Sequence, residues 1–351
     1  MNDLTSAAIN LLKDLIKIPS FSKNEDKTGD RIGEWFDHYE IPYERDGNNL
    51  WAQNKAFNPI KPTLLLNSHH DTVKPNSAYT NDPFEAKIED GKLYGLGSND
   101  AGGALVSLIA LFTHYFDKEN PKYNLLLVAS AEEEIAGDNS LIGLLPRLPK
   151  IDVAIVGEPT EMNMAVAEKG LIVFDAVIKG TPSHAAHPNA NNPIMKLPEV
   201  LNWFDNFKLQ KYSDFLGEVK VTVTQVSGGK EHNVVPASVN LVVDVRVNDK
   251  YSNEEVSKIL VEAAPCELIP RSLRLNSSSI AMDHELVEAG IKLRRKTYGS
   301  PTLSDQAALD CPSLKLGPGL STRSHTANEF IFINEIEEAI NIYIDLLAKI
   351  L

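Results

Sequence analysis

The sequence predicts an α/β fold, a sheet with helices on both faces, carrying an inserted α+β unit. Residues 63–67, 125–129 and 153–156 are short, continuous apolar runs, as expected of strands buried on both faces. Between the first two, residues 102–116 are rich in Ala, Leu and Val and read as a helix; strand and helix signals in alternation describe a covered sheet. Near residue 165 the pattern changes to strand, helix, strand, strand, helix, strand, which is the split βαβ (ferredoxin-like) order.

In chain order, residues 4–17 place Leu4, Ala8, Leu11, Leu12 and Leu15 three and four apart, an amphipathic helix that Thr5 or Ser6 can cap and Pro19 stops. A second helix over 26–39 carries Ile32, Trp35, Phe36 and Tyr39. In the insertion, strands fall at 165–178, 219–226, 240–247 and near 266–275, with helices at 192–207 and 252–264. The expected division is a catalytic domain in two parts, 1–164 and 276–351, and a lid over 165–275, a plausible domain size of roughly 110 residues. The insertion must be a detour, because a candidate site residue, His325, follows it.

A chain of 351 residues is longer than one core usually serves, so two domains are expected. Its formal net charge of −14 repels phosphate backbones, arguing against nucleic acid and anionic membrane as partners. No apolar run is long enough to span a bilayer, and the polar, acidic opening is unlike a secretory signal. Cys266 and Cys311 stand far apart without metal-ligand spacing and read as reduced thiols of a cytoplasmic protein.

Five segments supply acids or imidazoles where a rigid sheet presents its loops: Ser68-His69-His70-Asp71, Asn99-Asp100, Glu132-Glu133-Glu134, Glu158-Pro159 and Ser324-His325-Thr326. A two-metal site needs about two His and several carboxylates, one of them bridging. Along an extended chain residues two apart share a face, so His69 can ligate metal while Asp71 accepts its other ring N–H, and His70 points elsewhere. Asp100 lies in a glycine-rich path before a helix, where a bland reading is a simple N-cap. Among three adjacent Glu, one can bind metal while a neighbour shuttles a proton; the bland alternative is a solvated acidic run.

With these residues in view, the chain resembles the dinuclear zinc aminoacylase and carboxypeptidase family, which includes acetylornithine deacetylase, succinyl-diaminopimelate desuccinylase and glutamate carboxypeptidases. The resemblance rests on His-x-Asp, Gly-x-Gly-x-x-Asp, a Glu pair after a strand, Glu-Pro and a late His-Thr-x-x-Glu, and covers essentially the whole length. It implies a zinc-peptidase-like mixed sheet with a lid that dimerises. It implies two zinc ions, with cobalt or manganese as alternatives: His69, Asp100 and Glu158 on one, and Asp100, Glu134 and His325 on the other. Glu133 then matches the general acid/base, Asp71 the group orienting His69, and His184 the lid imidazole that stabilises an oxyanion. Asn233 and Arg246 match positions that hold the substrate carboxylate, a structural Arg being the alternative for the latter. A cis peptide is implied between Asp100 and Ala101. Leu96 stands where many relatives have Arg, Glu132 where they have Asp, and Met195 where diaminopimelate desuccinylases have His.

The expected function is hydrolysis of the amide bond of a small N-acyl amino acid by metal-activated water, as in acetylornithine deacetylase and arginine or lysine biosynthesis. A di- or tripeptidase, or a succinyl amino acid hydrolase of the same family, is the nearest alternative. A non-catalytic binding protein on the same scaffold would have lost Glu133 or ligands, and all are present.

Overall fold

The computed structural model describes residues 2–351, the side chain of Asn2 excepted. The chain packs into two units: one runs to Val166 and resumes over Ser279–Tyr298 and Ser304–Leu351; the other comprises Ala167–Ser278 and Gly299–Leu303.

The first unit is built on a nine-stranded sheet that runs, from one edge, Tyr43–Asp46, Asn49–Gln53, Asn124–Ser130, Thr63–His69, Val153–Val156, Ser313–Lys315, and continues to Met164–Glu168 and beyond. Its four central strands are parallel, and the edge formed by Tyr43–Asp46 and Asn49–Gln53 is antiparallel, so the sheet is mixed. Period-two alternation feeds two cores. Leu64, Leu66, Leu125, Leu127 and Ile155 pack with Leu11, Leu12, Phe36, Ile109, Phe112 and Tyr343 from four helices. Leu65, Leu126, Val128 and Ala154 face Trp51, Leu141 and Leu144 on the other side. Those two faces are the reason the strand runs are continuously apolar.

Helices form at Asn2–Ile16, Asp26–His38, Gly103–Tyr115, Glu285–Lys292 and Ile333–Leu347. The first begins earlier than expected, so Thr5 and Ser6 lie inside it rather than at its cap. Three very short strands, Ile88–Glu89, Lys92–Tyr94 and Phe330–Phe332, form a separate small sheet.

The second unit has strands Gly170–Lys179, Lys220–Gly228, Ser238–Val247 and Glu267–Pro270 with helices Pro193–Asn206 and Asn253–Ala263. Sheet order places Ser238–Val247 between Lys220–Gly228 and Gly170–Lys179, with Glu267–Pro270 outermost and every neighbour antiparallel. That is the split βαβ topology. Phe174, Val243, Val245, Phe204, Val256 and Leu260 belong to its own core. The strand expected at 165–178 is two strands, Met164–Glu168 and Gly170–Lys179, with Lys169 between them. The last strand stops at Pro270, whose missing N–H cannot continue a ladder.

Candidate metal and catalytic site

His69 is the last residue of the fully buried strand Thr63–His69. Its Nδ1 lies 3.0 Å from the carbonyl oxygen of Asp71 and 3.3 Å from Asp71 Oδ1, which leaves Nε2 to face the carboxylates. Nε2 stands 3.4 Å from Asp100 Oδ1 and 3.9 Å from both Glu133 Oε2 and Glu158 Oε1. His70 turns the other way, as strand geometry requires, between Thr28 Oγ1 at 2.9 Å and the carbonyl of Asn48 at 2.9 Å. Burial pushes its imidazole down to about 4, so it is a neutral structural residue.

Asp100 sits in the segment Ser98–Gly102, a single wide turn closed by the Gly102 N–H on the Gly97 carbonyl, and its own φ and ψ of −118° and 98° are non-helical. The following helix has Gly102 as its cap with no side-chain cap bond, so Asp100 is not an N-cap residue. The Asp100–Ala101 peptide is cis. Gly97 has φ of +74°, and a Cβ there would lie 2.5 Å from Thr72 Cγ2, so the loop needs glycine at this point. The two oxygens of Asp100 face different imidazoles: Oδ1 faces His69, and Oδ2 lies 3.6 Å from His325 Nε2. His325 Nε2 in turn lies 3.0 Å from Glu134 Oε2. Donor atoms of His69, Asp100 and Glu134 all fall within 4.8 Å of one another.

Asp71 organises the Glu segment as well as His69. It is 1% exposed, receives the Ser22 hydroxyl at 2.7 Å, and accepts the backbone N–H of Glu133 at 3.1 Å and of Glu134 at 3.2 Å. With both amides pinned, the adjacent side chains diverge: Glu134 toward His325, Glu133 toward His69. Glu132 is buried instead, its N–H on Glu25 at 3.2 Å and its carboxylate held by Asn139 at 2.8 Å. The three acids therefore have three environments and are not a solvated run.

The electrostatics are those of an anionic cluster. Burial, followed by the charge of Asp100, pushes Glu158 up to about 8. Burial also drives Glu133 well above the usual carboxylate value; His69 opposes this, and Glu158, Asp305 and Glu134 add to it. Burial works against ionisation of Asp100 too, yet hydrogen bonding and charge from His69 hold it below the ordinary value. The hydrogen bond to Glu134 raises His325 to about 9. Buried carboxylates of like charge are costly without compensating cations. Two imidazoles and three carboxylates of this kind are hard-to-borderline donors suited to zinc, cobalt or manganese. The residues fit a metal centre.

Two residues near the centre had no assigned role in the sequence reading. Asp305 is buried, accepts the Ser130 hydroxyl at 2.6 Å beneath the strand end, and its negative charge helps raise the proton affinity of Glu133. Nothing in its sequence surroundings marks it. Glu329 is 1% exposed and accepts the N–H of Asn99 at 2.8 Å and of Asp100 at 2.9 Å. Its signal was present, as the last residue of His-Thr-x-x-Glu.

The other three candidate residues belong to the second unit. His184 is exposed in the short strand Ser183–His184, which pairs with Val234–Val235, and its Nδ1 accepts the Ala186 N–H at 3.1 Å. Asn233 is exposed, and its carbonyl accepts the Ala185 N–H at 2.8 Å, so both residues belong to one two-stranded pairing of segments far apart in sequence. Arg246 is held by Asp244, with Nε to Oδ1 at 2.9 Å and Nη2 to Oδ2 at 3.1 Å.

Imidazoles and carboxylates converging at strand ends of a mixed α/β sheet define a metallohydrolase. The family model described as Peptidase family M20/M25/M40 matches residues 65–349, and the chain belongs to this family. It is a metal-dependent hydrolase of amide bonds. It is 27% identical to the succinyl-diaminopimelate desuccinylase of Rickettsia felis over 380 residues, covering 98% of this chain and 100% of the relative. In fold it is similar to an M20 family metallo-carboxypeptidase from Sulfolobus solfataricus, at 18% identity and TM-score 0.78, covering 97% of this chain and 98% of the other. It is also similar to a Bacillus subtilis protein described as a dinuclear metal-binding peptidase of the M20 family, at 17% identity and TM-score 0.73, covering 99% and 98%. Among the described residues no helix is long and apolar enough to cross a membrane.

Proposed function

We propose that this chain removes the acyl group from a small N-acyl amino acid, in the manner of acetylornithine deacetylase, using two zinc ions. His69 and Glu158 would hold one metal, Glu134 and His325 the other, and Asp100 would bridge. The observation that carries this reading is the pair of faces on Asp100, Oδ1 toward His69 and Oδ2 toward His325. Bound there, the cations would supply Lewis acidity to the scissile carbonyl and to water.

The chain's own residues do the rest. Asp71 fixes the ring of His69 and, through two amides, the directions of Glu133 and Glu134. Glu133, outside the proposed ligand set, takes the proton of the attacking water at a carboxylate oxygen and returns it to the leaving amine nitrogen. Its raised proton affinity suits that exchange. His184 is the proposed donor to the developing oxyanion, and Asn233 and Arg246 the proposed holders of the substrate carboxylate, all on the strength of the lid resemblance. A homodimer through the second unit is part of the same proposal. Lys220–Gly228 lies at an edge of its sheet and is exposed over most of its length, which suits pairing with a second copy.

A second reading, a succinyl amino acid hydrolase, is favoured by the name of the curated relatives. Against diaminopimelate as the amino acid stands Met195, 76% exposed where desuccinylases of that substrate resemble one another in carrying His. A panel of N-acetyl and N-succinyl derivatives of ornithine, citrulline, lysine and diaminopimelate, with dipeptides beside them, decides between these. Amine release from an N-acetyl amino acid is expected to be fastest; release only from dipeptides would overturn the proposal.

A further inference from the structure

We propose that Glu329 is a positioning residue for Asp100, setting the metal-bridging geometry through the backbone. The inference rests on the reading of Asp100 as a shared metal ligand. The Glu329 carboxylate is 1% exposed, and one oxygen, Oε1, receives two successive amides, Asn99 N–H at 2.8 Å and Asp100 N–H at 2.9 Å. Two adjacent peptide planes fixed at one point leave the Cα–Cβ direction of Asp100 little freedom. Asn99, whose amide shares this anchor, is locked from the opposite side: its Oδ1 accepts Leu320 N–H at 3.0 Å and its Nδ2 donates to the Leu320 carbonyl at 3.2 Å.

The placement of Glu329 in the chain gives the contact a second consequence. Glu329 comes four residues after His325 and directly before the strand Phe330–Phe332, which pairs with Lys92–Tyr94. Its own carbonyl accepts Gly95 N–H at 3.0 Å. The loop carrying His325 and the loop carrying Asp100 are therefore tied at one buried carboxylate. That tie fixes the relation between two proposed ligands that are far apart in sequence. Partners outside the ligand set typically change metal affinity by about 10–100-fold when removed.

The test compares Glu329→Met, which keeps the bulk and removes the acceptor, with Glu329→Gln, which keeps a neutral acceptor, and with Asp100→Asn. Each full-length variant is freed of metal, checked by thermal unfolding, and titrated with Zn²⁺ in calorimetry and with Co²⁺ in absorption. Glu329→Met is expected to weaken metal binding by tenfold or more and to alter the Co²⁺ spectrum, with Glu329→Gln recovering part of the loss. Binding within threefold of the unaltered protein in Glu329→Met, beside a strong loss in Asp100→Asn, would overturn this inference alone. Unchanged binding in Asp100→Asn would overturn the ligand reading beneath it. Should Glu329→Met not fold, Glu329→Gln decides: a loss of threefold or more with a changed Co²⁺ spectrum supports the role, and a smaller loss with an unchanged spectrum overturns it.

Discussion

Asp71→Asn is the substitution that separates the proposed organisation of the site from simple ligand loss. Asn keeps the shape of Asp and removes one acceptor oxygen together with the charge. In the native site Oδ1 faces the Glu133 N–H and the His69 ring, and Oδ2 faces the Glu134 N–H and the Ser22 hydroxyl. The new amide NH₂ must occupy one of these places and there meets an N–H. Ser22 can rotate to accept, and His69 Nδ1 retains the Asp71 carbonyl at 3.0 Å, but one Glu amide is orphaned in either orientation. An unsatisfied buried N–H costs about 1–3 kcal/mol. The variant should lose that much stability in urea unfolding of the metal-free protein. Loss of the group orienting His69 should weaken metal binding by about 10–100-fold. Turnover with saturating metal should also fall, because Glu133 is no longer aimed. Ser22→Ala, which removes only the hydroxyl, should leave metal affinity nearly unchanged. Unaltered stability and metal affinity in Asp71→Asn would refute the reasoning.

Glu133→Ala should lower turnover by about 10²–10⁴-fold, the range for loss of a general base, while mass spectrometry of the native protein still finds two metals per chain. Metal loss in that variant would mean the roles of Glu133 and Glu134 are misassigned. In the metal-free protein Glu158 is raised to about 8 and His325 to about 9. Both folded values exceed their unfolded ones. The stability these groups contribute is therefore full below about 4.5 for Glu158 and about 6.5 for His325, and is lost as pH rises through 8 and 9. Thermal unfolding of the metal-free protein should show this decline, and metal binding near neutral pH should release protons, measured by calorimetry in buffers of different ionisation enthalpy. His184→Ala should reduce turnover without changing metal content, and light scattering should find a dimer; an active monomer would remove the dimer from the proposal.

The apolar strand runs announced the α/β unit, because strands covered on both faces leave no polar alternation to confuse them. Acids and imidazoles directly after such runs, His69 after Leu64–Leu66 or Glu158 after Val153–Val156, were legible for the same reason: a buried strand must end in a loop. Strand parity also anticipated that His69 faces the centre and His70 does not. What escaped was tertiary. Asp305 reaches the site through Ser130, and Glu25 braces Glu132, by contacts with no local spacing. The three-residue strands Lys92–Tyr94 and Phe330–Phe332 are too short to carry a period. Helix ends were least legible; Thr5 and Ser6 have capping chemistry but the helix begins before them.

The most direct test of the central claim is to strip the protein of metal and restore zinc stepwise while following amine release from N-acetylornithine and related N-acyl amino acids. No turnover is expected without metal, followed by a rise that levels off at two zinc ions per chain, with Glu133→Ala binding both and remaining inactive. A plateau at one zinc, or full occupancy with no hydrolysis of any N-acyl amino acid, would contradict it.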